Sequence, residues 1–556
     1  MNKGSSGNNL VNCGLALPNG RGSESASEPR PQAEPPAPPL ETRLLALVGH
    51  ASACQRPLAG AIPHVFSGSA WHGYFRTGTK GKGLRLPMAL GTAGLLLVAN
   101  ACMVGPRYQR PAAPAPAAFK EAPPAGWKDA QPNDGAPRGK WWEVYKDPGL
   151  NALEEQVNIS NQNVLSAEAQ FRAAKASVRV ARAGLFPTIT AAPSATGSAT
   201  GGSGAKGLYT LPVDLAAYQV DIWGSIRRGV AANSAAAQAS AAQLENARLL
   251  YQAELAADYF QIQGLDATRQ VLDATVKSYE QYVTLTQDRF EGGVASKGDV
   301  ALAQTQLETA RAQLVDLGVQ RAQFEHAIAV LAGKSPSDLS IPAAPKQIPP
   351  PVSTVGIPSA LLERRPDVAA AERQVAAANE QIGIAKAAFY PSLTIGAGAG
   401  LQSSVMGDLL TWPSRFWSVG PQLAATLFDA GKHRAQLQVT QATYDATVAN
   451  YRQTVLTALE QVEDSLAELR ILSEEAAITD RAVKAAQQSL EISTIQYRGG
   501  IANYLQVITA QTSALQNQRT AVDLLTRRMV ASVSLIQALG GGWDASQLPT
   551  SLDVRR

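Results

Sequence analysis

A chain of 556 residues with a formal charge of +4 is long enough for several domains, and too near neutrality to point to nucleic acid or a strongly acidic partner. Aromatic residues make up only 6%, and the last of three cysteines is Cys102, so the main body holds neither a disulfide framework nor a cysteine-based metal site.

Residues 1–79 are rich in Gly, Pro, Ser and Ala without a sustained apolar period, and are expected to be a disordered extension or a misassigned translation start. Residues 80–101 read as a signal peptide. Lys80, Lys82 and Arg85 precede an apolar run from Leu86 to Ala99 that is too short to span a bilayer and ends at small residues. Cys102 follows at once, as in a bacterial lipoprotein cleaved before the cysteine and lipidated on its thiol; the plainer alternative is a short buried helix with an incidental cysteine. Ala99 and Asn100 stand where lipoprotein signals carry a leucine and a smaller residue, so the segment argues for export more strongly than for acylation. Residues 102–140 are Pro/Ala-rich and read as an extended, lipid-anchored tether. Trp141 and Trp142 open the folded region, read as aromatic packing at a domain edge.

The body is duplicated. The stretch from Val164, "VLSAEAQFRAAKASVRVARAGLFPTIT", matches that from Val368, "VAAAERQVAAANEQIGIAKAAFYPSLT". "DIWGSIRRG" matches "FDAGKHRAQ", Gly292-Gly293-Val294-Ala295 matches Gly499-Gly500-Ile501-Ala502, and Ala303-Gln304-Thr305 matches Ala510-Gln511-Thr512. The first repeat covers 141–334 and the second 359–540, joined by a Pro-rich linker at 335–358 and followed by a tail at 541–556.

Each repeat opens with a helix of roughly 40 residues ending at Pro187 or Pro391, which cannot continue it. Two strands around a Gly/Ser-rich turn follow. In "WSVGPQLAATLFD", Trp417, Val419, Pro421, Leu423, Ala425 and Leu427 alternate with polar or small residues, a strand able to cross a membrane at a tilt. In the first repeat the alternation is clear at Tyr218, Val220 and Ile222. Proline-free runs then extend from Ser225 to Phe290 and from Lys432 to Tyr497. Leu456, Leu459, Val462, Leu466, Leu469 and Leu472 give the second run a coiled-coil seam. Roughly 65 residues of helix reach about 100 Å, too long and too polar for lipid, so such a helix projects through water and must turn back. Two adjacent glycines inside a helix cost about 2 kcal/mol; Gly292-Gly293 and Gly499-Gly500 are explained as the hairpin turns, where glycine supplies positive φ and close approach.

Four strands per chain cannot close a barrel, and an open sheet in lipid strands backbone polar groups at several kcal/mol each. Strands of several chains must be pooled: two chains give eight, with a filled interior, and three give twelve, with room for water. The fold class expected is mainly α with a membrane β-barrel contribution, a tandem repeat of long coiled-coil hairpins.

At this point the chain resembles the TolC-like outer-membrane efflux proteins of the NodT-type lipoprotein branch. The carriers are "CMVGPRYQRP", "KWWEVYKDPGL", "ERRPDVAAAERQVAAANEQIGIAKAAFYPSL", "DIWGSIRRG", "LFDAGKHRAQ" and "YRGGIANYLQVITAQ", across roughly residues 88 to 540. The resemblance implies a homotrimer with a 12-stranded barrel on an α-helical tunnel, in the outer membrane and extending into the periplasm. It implies an exit duct that passes small toxic molecules from an inner-membrane RND-type transporter through a periplasmic adaptor, with no enzyme activity and no cofactor beyond lipid on Cys102. The turns at Gly292, Gly293, Val294, Gly499, Gly500 and Ile501 correspond to adaptor contacts, and Asp299 and Tyr497 to a constriction of the closed tip. Asp299 also suits a first helical turn, and three copies about an axis would favour cations. Gln506 and Thr509 replace carboxylates of the family's gate and Ala502 a basic residue, which alters that network. "RRPD", Arg364 to Asp367, reads as a helix start.

Other readings are an exit duct for type I protein secretion and a non-conducting structural lipoprotein. "GSGAKG" at Gly202 joins two strands rather than a strand and a helix, "GKS" at Gly333 lacks the upstream P-loop glycine, and His326 and His433 have no metal-type cluster nearby.

Overall fold

The computed structural model describes residues 103–114, 116–121, 139–199, 201, 206–344, 349–351 and 361–555. The segment 1–79, the export signal and Cys102 lie outside the described residues.

The first repeat begins with α1, Pro148–Ser160, capped by Asp147, and α2, Gln162–Ala183, capped by Asn161. The single 40-residue helix expected here is therefore two. Asn161 is extended (φ −63°, ψ 121°), its Oδ1 accepts from the Asn163 and Val164 amides, and its Nδ2 donates to the Leu331 carbonyl at 2.9 Å. The second repeat breaks at the matching place: a short α5, Leu361–Arg364, gives way at Arg365 to α6, Pro366–Ala387, with proline at its first position and Asp367 gripping the Arg365 guanidinium at 2.6 Å. Both α2 and α6 have 22 residues and stop four short of Pro187 and Pro391.

The strands are β1 (Ile189–Ala191), β2 (Ser194–Ser198), β3 (Lys206–Val220), β4 (Ser392–Ser403) and β5 (Arg415–Ala424). β1 and β2 both lie antiparallel to β3 and form one track interrupted at Pro193, which has no N–H to give to the ladder. The sheet thus has four tracks in the order β1/β2–β3–β4–β5, all antiparallel, with an irregularity between Leu215 and Tyr218. β3 pairs with β4, so the sheet joins the repeats. Ile222 and, in the second repeat, Ala425 and Leu427 fall past the strand ends.

The long helices are α3, Ser225–Glu291, and α7, Lys432–Arg498, of 67 residues each, about 100 Å long. Each follows a left-handed glycine, Gly224 (φ 81°) or Gly431 (φ 88°). Each lacks a side-chain cap at that glycine, and a nearby carboxylate supplies acceptors instead: Asp221 for the Ile226 and Arg227 amides, Asp429 for that of His433. The return helices are α4, Lys297–Leu331, and α8, Tyr504–Ala538, of 35 residues each. α3 packs on α4, α6 and α8, and α7 packs on α8, so the order across the hairpins is α4–α3–α8–α7. The seam expected on α7 holds from Val462 through Leu472, but Leu456 is 46% exposed and Val455 and Ala458 are buried in its place.

Trp141 and Trp142 make the aromatic packing expected, edge to face with each other at 5.9 Å. They are 3% and 1% exposed and sit in a cluster with Tyr145, Leu150, Phe260 and Val533 that binds α1, α3 and α8 together. Of the tether expected over 102–140, residues 103–114 and 116–121 are docked: the Val104 amide donates to Trp223 O at 3.1 Å, Tyr108 bonds to Glu372, and the Lys120 and Glu121 amides share the Glu463 carboxylate at 2.7 and 2.9 Å. Among the described residues no helix is long and apolar enough to cross a membrane.

Candidate channel wall and hairpin tips

The register sorts the sheet into two faces. Directly paired residues share a face, giving apolar rows Val220/Leu393/Leu423, Leu215/Ala397/Val419 and Val213/Ala399/Trp417. The alternate rows are Gln219/Thr394/Gln422 and Asp214/Gly398/Ser418. Trp417 and Leu423 are 77% and 70% exposed although apolar. A sheet with one bare apolar face, and with a single partner for each outer track among the described residues, suits lipid on one side and water on the other.

At the far end, both α3 and α7 finish in the same hydrogen-bonded turn. The Gly293 amide donates to Phe290 O and the Val294 amide to Arg289 O; the Gly500 and Ile501 amides do the same to Tyr497 O and Gln496 O, all at 2.9–3.1 Å. This is the Schellman arrangement, which needs one left-handed residue just past the cap. Only the second glycine of each pair provides it, Gly293 at φ 76° and Gly500 at φ 75°; Gly292 and Gly499 are right-handed at φ −75°. Glycine thus supplies the positive φ expected at each turn, through one member of each pair. Val294 and Ile501, 68% and 84% exposed, crown the turns.

Asp299 closes a capping box: its Oδ2 accepts from the Ser296 amide at 3.0 Å while Ser296 Oγ accepts from the Asp299 amide at 3.1 Å. In α8, Asn503 takes the Ser296 position and accepts from the Gln506 amide at 3.2 Å. Tyr497 is 3% exposed and packs on Tyr504 (5.4 Å between centroids) in a cluster with Tyr282, Val507 and Ile508. Burial raises the Tyr504 phenol well above its ordinary value. Arg289 clasps the two tips, its guanidinium 4.7 Å from the Tyr497 ring and its Nη1 donating to Arg498 O at 3.4 Å. Asp299 and Tyr497 thus belong to one tip assembly, the first half-buried at a helix start, the second inside the packing. Sequence reasoning missed Arg289. Its one signal is that the repeats disagree there, Gln496 standing at the matched position. No group of side chains among the described residues could hold a metal ion.

The family model described as outer membrane efflux protein matches residues 153–334 and 357–541. The chain is 31% identical over 463 residues to the probable efflux pump outer membrane protein TtgC of Pseudomonas putida, covering 82% of this chain and 95% of TtgC. It is 32% identical over 483 residues to outer membrane protein OprJ of Pseudomonas aeruginosa, covering 84% and 98%. Among solved structures it is similar to the outer-membrane channel OprN (TM-score 0.73, 29% identity, 80% of this chain and 100% of that one). It is also similar to VceC of Vibrio cholerae (TM-score 0.69, 30% identity, 73% and 100%).

Proposed function

Because the chain belongs to the outer membrane efflux protein family, and so is an outer-membrane channel of an efflux system with a transport role, we propose that three copies close into a 12-track barrel continued by a tunnel of helical hairpins. The observation that carries this is the coincidence of edges. The sheet ends in β1/β2 on one side and β5 on the other, and the hairpins end in α4 and α7. Exposed apolar side chains gather on those two helices: Val315, Val319 and Val330 on α4, and Ile471, Ile478 and Ile492 on α7 at multiples of seven residues. Head-to-tail packing of α7 on the next copy's α4 covers both rows and satisfies both sheet edges. β4, at 12 residues, is about 40 Å long and at a tilt near 45° rises roughly 28 Å, the height of a membrane band.

The paired tips, with Val294 and Ile501 exposed, are the surface for a periplasmic adaptor, which links the duct to an inner-membrane transporter of the RND type. Asp299 lines the tip opening, and Tyr497, clasped by Arg289, sets how far the tips part. Cys102 carries a lipid; the docking of Val104 on Trp223, beside the strand-to-helix junction, supports an anchor at the inner leaflet. Relatives are named for antibiotic, solvent and toluene efflux, which supports small toxic organic molecules as cargo.

The test is reconstitution of the purified mature protein in planar bilayers. Stepwise conductance from a species of three chains is expected. A stable single-chain species without conductance removes the reading.

A further inference from the structure

We propose that Asp214 sets the charge preference of the barrel, so that cationic and neutral solutes pass and anionic ones are held back; the inference rests on the closed barrel proposed above. Lys206 and Arg415 open their strands at the loop end, and between those ends and the helices Asp214 is the one charged side chain in the described strands. The register places it in the row Thr190–Asp214–Gly398–Ser418, on the polar face. On that face β4 contributes Gly396, Gly398 and Gly400, a strip of wall without side chains. A Cβ built on Gly398 would lie 2.5 Å from Asp214 Oδ1, so the carboxylate rests across the glycine, and the glycine is what makes room for it. The pairing gives this carboxylate no basic partner on its row. In a closed trimer three such carboxylates stand at one level, backed by a low-dielectric wall. Their fields add on the axis, concentrating cations and repelling anions.

The experiment measures reversal potentials of the full-length protein in planar bilayers under a KCl gradient, for wild type, D214N, D214K and G398A, with trimer migration and β signal checked for each. Wild type is expected to be cation-selective. D214N should lower the K⁺/Cl⁻ permeability ratio on the order of 3-fold, and D214K should shift it toward anions. G398A, which crowds the carboxylate, should alter the ratio with the charge intact. D299N in the same series separates the tip: the Asp214 effect should persist in the D214N/D299N double variant. An unchanged ratio in D214N and D214K, with conductance preserved, overturns the role of Asp214. Absence of any wild-type conductance overturns the barrel itself, a failure readily told apart from the first.

Discussion

Of the two glycines in each tip, one takes the left-handed turn and the other keeps an ordinary helical conformation. Gly293 and Gly500 hold φ near +75°, where an L side chain costs about 1–2 kcal/mol, whereas a Cβ on Gly292 meets its nearest atom at an ordinary 3.4 Å. Chemical denaturation of the purified protein should show G293A and G500A destabilised by about that amount, with G292A within about 0.5 kcal/mol of wild type. Equal losses from both members of a pair would contradict the geometry. The doublet was legible in sequence because it recurs at matched places. Which glycine turns was not, because hydrogen-bond closure onto Arg289 and Gln496 decides that. A second residue stood unremarked in the sequence: Glu154 on α1 is fully buried, neither carboxylate oxygen has a partner, and burial pushes its pKa well above the usual range. A raised folded-state value means the folded chain holds the proton where the unfolded chain has lost it. Stability therefore falls as pH rises from the ordinary carboxylate range toward the folded value. E154Q should flatten that slope and stabilise the protein at neutral pH by about 1–3 kcal/mol, read from denaturation midpoints between pH 4 and 8. A wild-type slope retained in E154Q would assign the pH dependence elsewhere.

At the scale of elements, the long helices were readable almost to their ends, because nothing between the left-handed glycine and the tip breaks a helix. The 22-residue helices were not, because Asn161 reads as one more tolerated polar residue until Leu331 O is seen to hold its amide. The misplaced Leu456 has a related cause: α7 changes partners along its length, from α6 to α8, and the buried stripe shifts with them. The two faces of the sheet were legible along β5 and at the end of β3, at Tyr218 and Val220; elsewhere β4 alternates glycine with alanine and β3 carries an irregularity. The apolar rows on α4 and α7 make a direct prediction. In the proposed trimer V319E puts a carboxylate into a row that a neighbouring copy covers, so crosslinking in detergent should show trimer replaced by monomer. Undiminished trimer in V319E would place the contact between copies on other helices.

For the whole molecule, the proposed adaptor contact at the tips requires the hairpins to keep their reach. The Gly499 amide donates to Ile495 O at 2.9 Å, and proline there loses that bond and clashes with the preceding turn, costing about 3 kcal/mol at the tip. A deletion strain complemented with G499P should remain more drug-sensitive than one complemented with wild type, at equal amounts of protein in the outer membrane. Full complementation would show that the turn is dispensable.

The bare sides of the sheet carry a burden of their own before assembly. A newly exported copy exposes Trp417 at 77%, Leu423 at 70% and Val419 at 65%, beside two strand edges ready to pair with any β-chain they meet. In the proposed trimer that surface is covered only on assembly, so biogenesis would have to keep the interval between export and joining short, or shield the sheet with an escort until sister copies arrive. Slow delivery, more than weak final stability, is then where production of this protein would fail.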